Sequence, residues 1–130
     1  GAVIVTTPQE VAVVDAVKAM NLFMLPQVNV PILGVVENMS WFTPAELPDN
    51  KYFILGEGGG ARMAKESNSI LLGQIPLVQG VREGGDKGAP IVESGGKSAE
   101  IFLDIASKLI KQTEIRNERL APTQIIQMQQ

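Results

Sequence analysis

The chain has 130 residues, of which 45% are hydrophobic and 19% charged, with no cysteine, no histidine and a net charge of −3 at pH 7. This composition is that of a globular protein, and its charge gives no attraction to nucleic acid or to an anionic membrane surface. Without cysteine and histidine, the chain alone cannot build disulfides, histidine general bases, zinc sites or cysteine-ligated iron–sulfur clusters. No apolar run approaches the ~20 residues of a membrane span. We therefore expect a cytoplasmic protein with no membrane or nucleic acid partner.

The first third of the sequence predicts a strand–helix–strand unit. Residues 2–6, AVIVT, form an apolar, β-branched run that is typical of a buried strand. Thr7 to Glu10 predict a helix start, with Thr7 as the cap and Glu10 completing a capping box. The helix is expected to run to about residue 24. The stretch PILGVVENMSWF, residues 31–42, then predicts a second buried strand parallel to the first.

The remaining sequence predicts one more strand and two more helices. The strand is expected at 70–75, and the helices are expected at 61–67 and 98–112, the second being amphipathic and capped by Ser98. A proline-bearing loop at 41–50 and a brief strand or extended segment at 52–55 precede them, and a glycine-rich, charged loop with up to one helical turn lies at 79–90. Residues 113–130 are expected to be a flexible tail. The predicted fold is α/β: a three-layer fragment with about three parallel strands and covering helices, within a domain unit at 1–112.

Two segments are predicted to meet at one edge of the sheet. Asn38 follows the second strand, and the segment from Gln74 to Pro90 follows the third. Ligands of open α/β sheets bind outside the carboxyl ends of the strands. The amide of Asn38 has both donors and acceptors, which suit a purine edge, although an asparagine after a strand is also a common turn residue.

Two glycine-rich motifs are candidates for phosphate-binding loops. Gly95-Gly96-Lys97-Ser98 lacks the glycine five residues earlier that a P-loop needs, so we interpret it as the entry to the last helix. Residues 56–61 match a relaxed G-x-G-x-x-A pattern, but no acidic residue follows at the distance that a ribose partner requires. We interpret these glycines as a tight turn into a helix, with anion binding at the helix start as the alternative.

The aromatic pair Trp41-Phe42 follows the second strand. It either caps the core or, if exposed, forms part of an interface.

Five motifs in order resemble the C-terminal half of the Mrp-type P-loop ATPases, which belong to the MinD/ParA-like group and act as iron–sulfur cluster carriers or scaffolds. They are VIVTTPQEVAVVDAVKA, GVVENMSWF, LGEGGGARMA, LLGQIPL and VREGGDKGAPIV, within residues 2–111. The resemblance implies half of a P-loop NTPase domain whose N-terminal half, with the P-loop and the Mg²⁺-binding residues, lies upstream. It also implies ATP as cofactor, a homodimer in the full-length protein and iron–sulfur apo-proteins as recipients.

By this resemblance, Asn38 contacts adenine, and Pro76 with the backbone of Leu77 and Val78 lines the other side of the base. No catalytic or metal-binding residue is implied within the chain, so we expect it to be inactive alone, within a full-length ATPase. The family's Cys-x-x-Cys would fall near Pro44 and Leu47, where this sequence has no cysteine. Cluster binding through the usual ligands is therefore not expected. The alternatives are a MinD/ParA-like positioning ATPase and a non-enzymatic adaptor with loop 41–51 as a protein contact.

Overall fold

The computed structural model describes residues 1–122 and consists of one sheet covered by helices. The elements in chain order are β1 (Ala2–Thr6), α1 (Glu10–Met24), β2 (Ile32–Asn38), α2 (Gly59–Glu66), β3 (Leu71–Ile75), α3 (Gln79–Lys87), α4 (Ile91–Ser94) and α5 (Gly96–Arg119). The three strands are parallel in the order β1-β2-β3. The predicted α/β fold with three parallel strands is confirmed.

Two apolar clusters lie on opposite sides of the sheet and make the structure three-layered. On one side, β1 and β2 pack against α1 and α2 through residues such as Ile4, Val35 and Met63. On the other side, β2 and β3 pack against α5 through Val36, Leu72 and Ile105. Because β2 lies between the other strands and is covered on both sides, its sequence is apolar on both faces.

Helix α1 does not begin with the predicted capping box. Its N-cap is Gln9, which makes no side-chain capping bond, and the helix starts at Glu10. The Thr7 hydroxyl donates to the Gln9 side chain at 3.4 Å, and the Glu10 carboxylate pairs with Arg62 of α2 at 2.5 Å. The predicted capping box was wrong because the Glu10 carboxylate forms an ion pair with the neighbouring helix α2 and no hydrogen bond within α1. This hydrogen bond and the negative charge of Glu10 raise the pKa of Arg62.

The segment at 79–90, predicted as a glycine-rich loop with up to one helical turn, contains the nine-residue helix α3, and α4 starts directly after it at Ile91. Side-chain bonds one turn apart support α3, from Gln79 to Glu83 at 2.6 Å and from Arg82 to Asp86 at 2.9 Å. Such pairs offset part of the low helix propensity of glycine. None of the α3 residues is buried, so sequence periodicity gave no sign of this helix.

Helix α5 is longer than predicted at both ends. It starts at Gly96, before Ser98, and continues past residue 112 to Arg119. Thr113, the first residue of the expected tail, donates its hydroxyl to the carbonyl of Leu109 at 2.8 Å within the helix. The rest of the expected tail, residues 123–130, lies outside the described residues. Within residues 1–122, no helix combines the length and apolar character needed to cross a membrane.

Candidate functional site

The ends of β2 and β3 form the edge at which the sequence predicted a site. Asn38 is in register with Ile75, the residue before Pro76. Beyond the strands, the amide of Ser40 donates to the carbonyl of Ile75 at 2.9 Å, and the amide of Leu77 donates to the carbonyl of Trp41 at 2.8 Å. The chain segments after β2 and β3 are therefore joined by backbone hydrogen bonds, which fix Asn38 and Pro76 beside each other at one edge.

Asn38 lies half-buried at the end of β2. Its Oδ1 accepts the amide of Met39 at 3.0 Å, and Met39 has a positive φ of 55°. This turns the chain sharply after the strand, so Asn38 has the turn role that the sequence left open. Its Nδ2 has no hydrogen-bond partner in residues 1–122.

The predicted residues Pro76, Leu77 and Val78 lie in the wall of a cavity of about 510 Å³. Asn38 does not line this cavity, so the structure brings the predicted residues to one edge without placing all of them around one space. The amide of Leu77 is already bonded to Trp41. This backbone N–H therefore has a partner within the protein and is not available to a ligand. Leu77 as a residue is 45% exposed.

Glu37, the residue before Asn38 in β2, is buried, with 1% of its surface exposed. Its carboxylate accepts the amide of Gly60 at 2.6 Å, the hydroxyl of Ser40 at 2.9 Å and the side-chain amide of Gln74 at 2.8 Å. A buried carboxylate with three donors joins β2, β3 and α2 next to Asn38. The sequence indicated the burial of Glu37 only through its position in a strand that is covered on both faces, where side chains are shielded from water.

The bond to Gly60 also decides between the two interpretations of the glycine-rich turn. Gly60 is in the first turn of α2, and its amide is taken by the Glu37 carboxylate. A Cβ on Gly60 would stand 2.8 Å from the Cβ of Glu37, so glycine is needed for this close approach. The turn interpretation is supported, and an internal carboxylate occupies the position that an external anion would take.

The loop after β2 is closed by an antiparallel bridge between Phe42 and Tyr52. Trp41 lines the 510 Å³ cavity and is half-buried, whereas Phe42 is 38% exposed. The two aromatic residues thus differ in exposure, and Phe42 is the more exposed of the pair. Residues 1–122 contain no group of three or more acidic side chains placed to hold a metal ion.

A parallel sheet covered on both sides, with glycine-bearing loops at the strand ends, is the architecture of nucleotide-binding α/β proteins. Two solved structures share it. A nucleotide-binding protein from Archaeoglobus fulgidus, in complex with ADP, is 30% identical with a TM-score of 0.57 over 68% of this chain and 35% of its own. The cell division ATPase MinD from Pyrococcus furiosus is 23% identical with a TM-score of 0.59 over 85% of this chain and 43% of its own. The MinD likeness shows the fold alone.

The family is given by the sequence. Residues 1–110 match the family model described as ParA, NUBPL iron-transfer P-loop NTPase. The chain belongs to this family, as its motifs predicted.

Two curated relatives are described as iron–sulfur proteins. An iron–sulfur cluster carrier protein from Synechocystis is 54% identical over 99 residues, which are 76% of this chain and 28% of that protein. An Arabidopsis thaliana protein described as an iron–sulfur protein required for NADH dehydrogenase, mitochondrial, is 41% identical over 130 residues, which are 98% of this chain and 40% of that protein. The chain thus spans well under half the length of these two relatives.

Proposed function

We propose that the chain forms the adenine side of an ATP site in an iron–sulfur cluster carrier ATPase. The observation that carries this proposal is the meeting of Asn38 and Pro76 at one strand-end edge in a chain of this family. The free Nδ2 of Asn38 would donate to a ring nitrogen of adenine, and Pro76 would pack against the face of the base. The ADP complex of the Archaeoglobus fulgidus protein, at 30% identity, supports a nucleotide as the ligand.

The phosphates and Mg²⁺ would be held by sequence outside these 130 residues. This follows from the chemistry of the edge, where Glu37 fills the first turn of α2 and the described residues offer no acidic cluster for Mg²⁺. The exposure of apolar residues on β1 and α1 also supports a missing part of the domain. Within the part of the chain that the structure describes, β1 pairs with a strand on one side only, Val5 is 61% exposed, and Val11 and Leu22 on α1 are 70% and 56% exposed. We propose that the N-terminal half of the same domain covers these surfaces and that the whole protein forms a homodimer.

Cluster delivery to apo-protein recipients would be the work of the whole protein, with the cluster as cargo. The chain has no cysteine, and the loop where the family's cysteine pair falls is closed by the bridge from Phe42 to Tyr52. The cluster ligands would then come from outside this chain.

Replacing Asn38 by alanine is expected to lower ATP affinity about tenfold, the effect of leaving one hydrogen bond to the base unmade. The measurement is ATP and GTP binding by a chimera in which this chain replaces its 99-residue counterpart in the Synechocystis carrier. Asn21→Ala, an exposed position on α1, is the matched control. GTP binding should change little, because the lost contact is to adenine. Equal ATP binding by the variant and the control would refute the adenine role of Asn38.

The 130-residue chain alone is expected to show no Mg²⁺-dependent ATP hydrolysis above background. Phosphoryl transfer depends on groups that position the phosphates and Mg²⁺, and none is assigned to this chain. Phosphate release is measured with the chain alone and with the chimera. Turnover by the chain alone would contradict the proposal.

A second function is favoured by one observation. Phe42, Tyr52 and Phe53 are 38%, 42% and 40% exposed around the loop after β2. Exposed aromatic groups of this kind mark protein contacts, so the second candidate is a non-enzymatic adaptor that binds a protein through loop 41–51. The chimera separates the two, because an adaptor would not bind ATP in an Asn38-dependent way.

A further inference from the structure

The cavity of about 510 Å³ lies between loop 43–51, the segment after β3 and the start of α5. Its size is within the range of small-molecule sites. Trp41, Pro44, Pro76 and Ile101 provide apolar walls, and among residues 1–122 the charged ones that line it are Lys51 and Lys97. The chain as a whole has a net charge of −3. This cavity, which is lined by two cations and no carboxylate, is instead positively charged.

Both lysines are without an acidic partner in residues 1–122. Lys18, Arg62 and Lys108 each form an ion pair, but Lys51 and Lys97 form none. The Lys51 ammonium instead stands over the ring of Trp41, 4.0 Å from its centroid. This cation–π contact holds the charge at the cavity wall and leaves it unneutralised.

The position of Lys97 is not explained by the stability of its helix. Lys97 is the second residue of α5, and the first turn of α5 contains no acidic residue. A positive charge near a helix N-terminus is unfavourable because of the helix dipole. The motif GGKS, which contains Lys97, also has no part in the proposed adenine site. A ligand that brings a negative charge to the cavity would give this lysine a role.

We propose that the cavity binds a small anion with an apolar body, in which Lys51 and Lys97 contact a carboxylate or phosphate and the walls around Trp41 contact the body. The site lies beside the proposed adenine position, and Asn38 does not line it. It shares Pro76, Leu77 and Val78 with that position. The proposal does not depend on ATP binding.

The test uses two probes that differ in charge alone, 4-phenylbutyrate and its neutral amide, with phenyl phosphate as the phosphate counterpart. Trp41 is the only tryptophan of the chain, so its fluorescence reports binding to the full chain directly. We expect saturable binding of the carboxylate or the phosphate, weakened by salt, and about tenfold weaker binding of the amide. Lys51→Gln and Lys97→Gln should each weaken anion binding about threefold to tenfold. Lys111→Gln, an exposed lysine on the same helix as Lys97, should leave it unchanged.

Three results would overturn the proposal. One is equal binding of the acid and its amide, or no saturable binding of any probe, with circular dichroism showing a folded chain. Another is the same affinity in the Lys51, Lys97 and Lys111 variants. The third is loss of 4-phenylbutyrate binding in the Asn38→Ala variant of the chimera, which would make the cavity part of the nucleotide site. Loss of ATP binding in the Asn38 variant with unchanged 4-phenylbutyrate binding would support two separate sites.

Discussion

Replacing Glu37 by alanine is expected to lower the free energy of unfolding by about 3 kcal/mol, because it leaves the buried amide of Gly60 without its acceptor and removes a fully buried side chain. The amide of Gly60, in a buried residue, would lose the Glu37 carboxylate. The hydroxyl of Ser40 would lose it too, but keeps the backbone carbonyl of residue 37, to which it also donates at 2.9 Å. Gln74 would lose its bond across the β2–β3 pair. Because the three donors belong to different elements, the loss would loosen β2, β3 and α2 together. Urea unfolding followed by circular dichroism measures the change.

Two further variants separate the carboxylate's hydrogen bonds from the mere volume of its side chain. Glu37→Gln keeps an oxygen for the amide of Gly60 and is expected to cost about 1 kcal/mol, a third of the alanine effect. Glu46→Ala, at an exposed loop position, is expected to stay within about 0.5 kcal/mol of the wild type. A Glu37→Ala protein as stable as the Glu46→Ala protein would contradict the buried network.

The strands were predictable because their signal is strong and local. AVIVT and ILGVVEN combine apolar and β-branched residues in runs too short for a helix, and both appear as β1 and β2. The expected meeting of Asn38 and Pro76 followed from the rule that parallel strands end at one edge. What failed depended on contacts between distant residues. The bond of Glu37 to Gly60 joins positions 23 apart, and that of Glu10 to Arg62 joins positions 52 apart.

Helix α3 shows a different limit. Its sequence, QGVREGGDK, has three glycines and no buried residue, so neither propensity nor periodicity predicts a helix. What supports it is a set of polar bonds one turn apart and contact with α4. Each such bond is weak. A helix with no buried face can therefore be found only from the structure.

Replacing Gly34 by alanine is expected to destabilise the chain by about 2 kcal/mol, although alanine at a glycine position usually favours folding through the unfolded state. A Cβ on Gly34 would stand 2.5 Å from Cγ of Leu72 and 3.0 Å from the carbonyl oxygen of Ile70. Leu72 is fully buried in the cluster under α5, so it has no space to move. The carbonyl of Ile70 accepts the amide of Val35 at 2.9 Å, which fixes the backbone of the neighbouring segment as well. Overpacking here would push β2 and β3 apart below the edge that carries Asn38 and Pro76.

Replacing a glycine of α3, Gly85, by alanine is expected to have the opposite effect on stability. Nothing lies within 4 Å of a Cβ built on Gly85, and its φ is not positive. Gly85→Ala should therefore stabilise α3 by about 0.5–1 kcal/mol, since alanine favours a helix where space allows. Urea midpoints of the two alanine variants, measured side by side, should move in opposite directions. If both midpoints rise, the close approach of β2 to Leu72 is not what glycine at position 34 provides. If Gly34→Ala lowers the urea midpoint and also weakens ATP binding in the chimera, the spacing of β2 and β3 sets the geometry of the nucleotide edge.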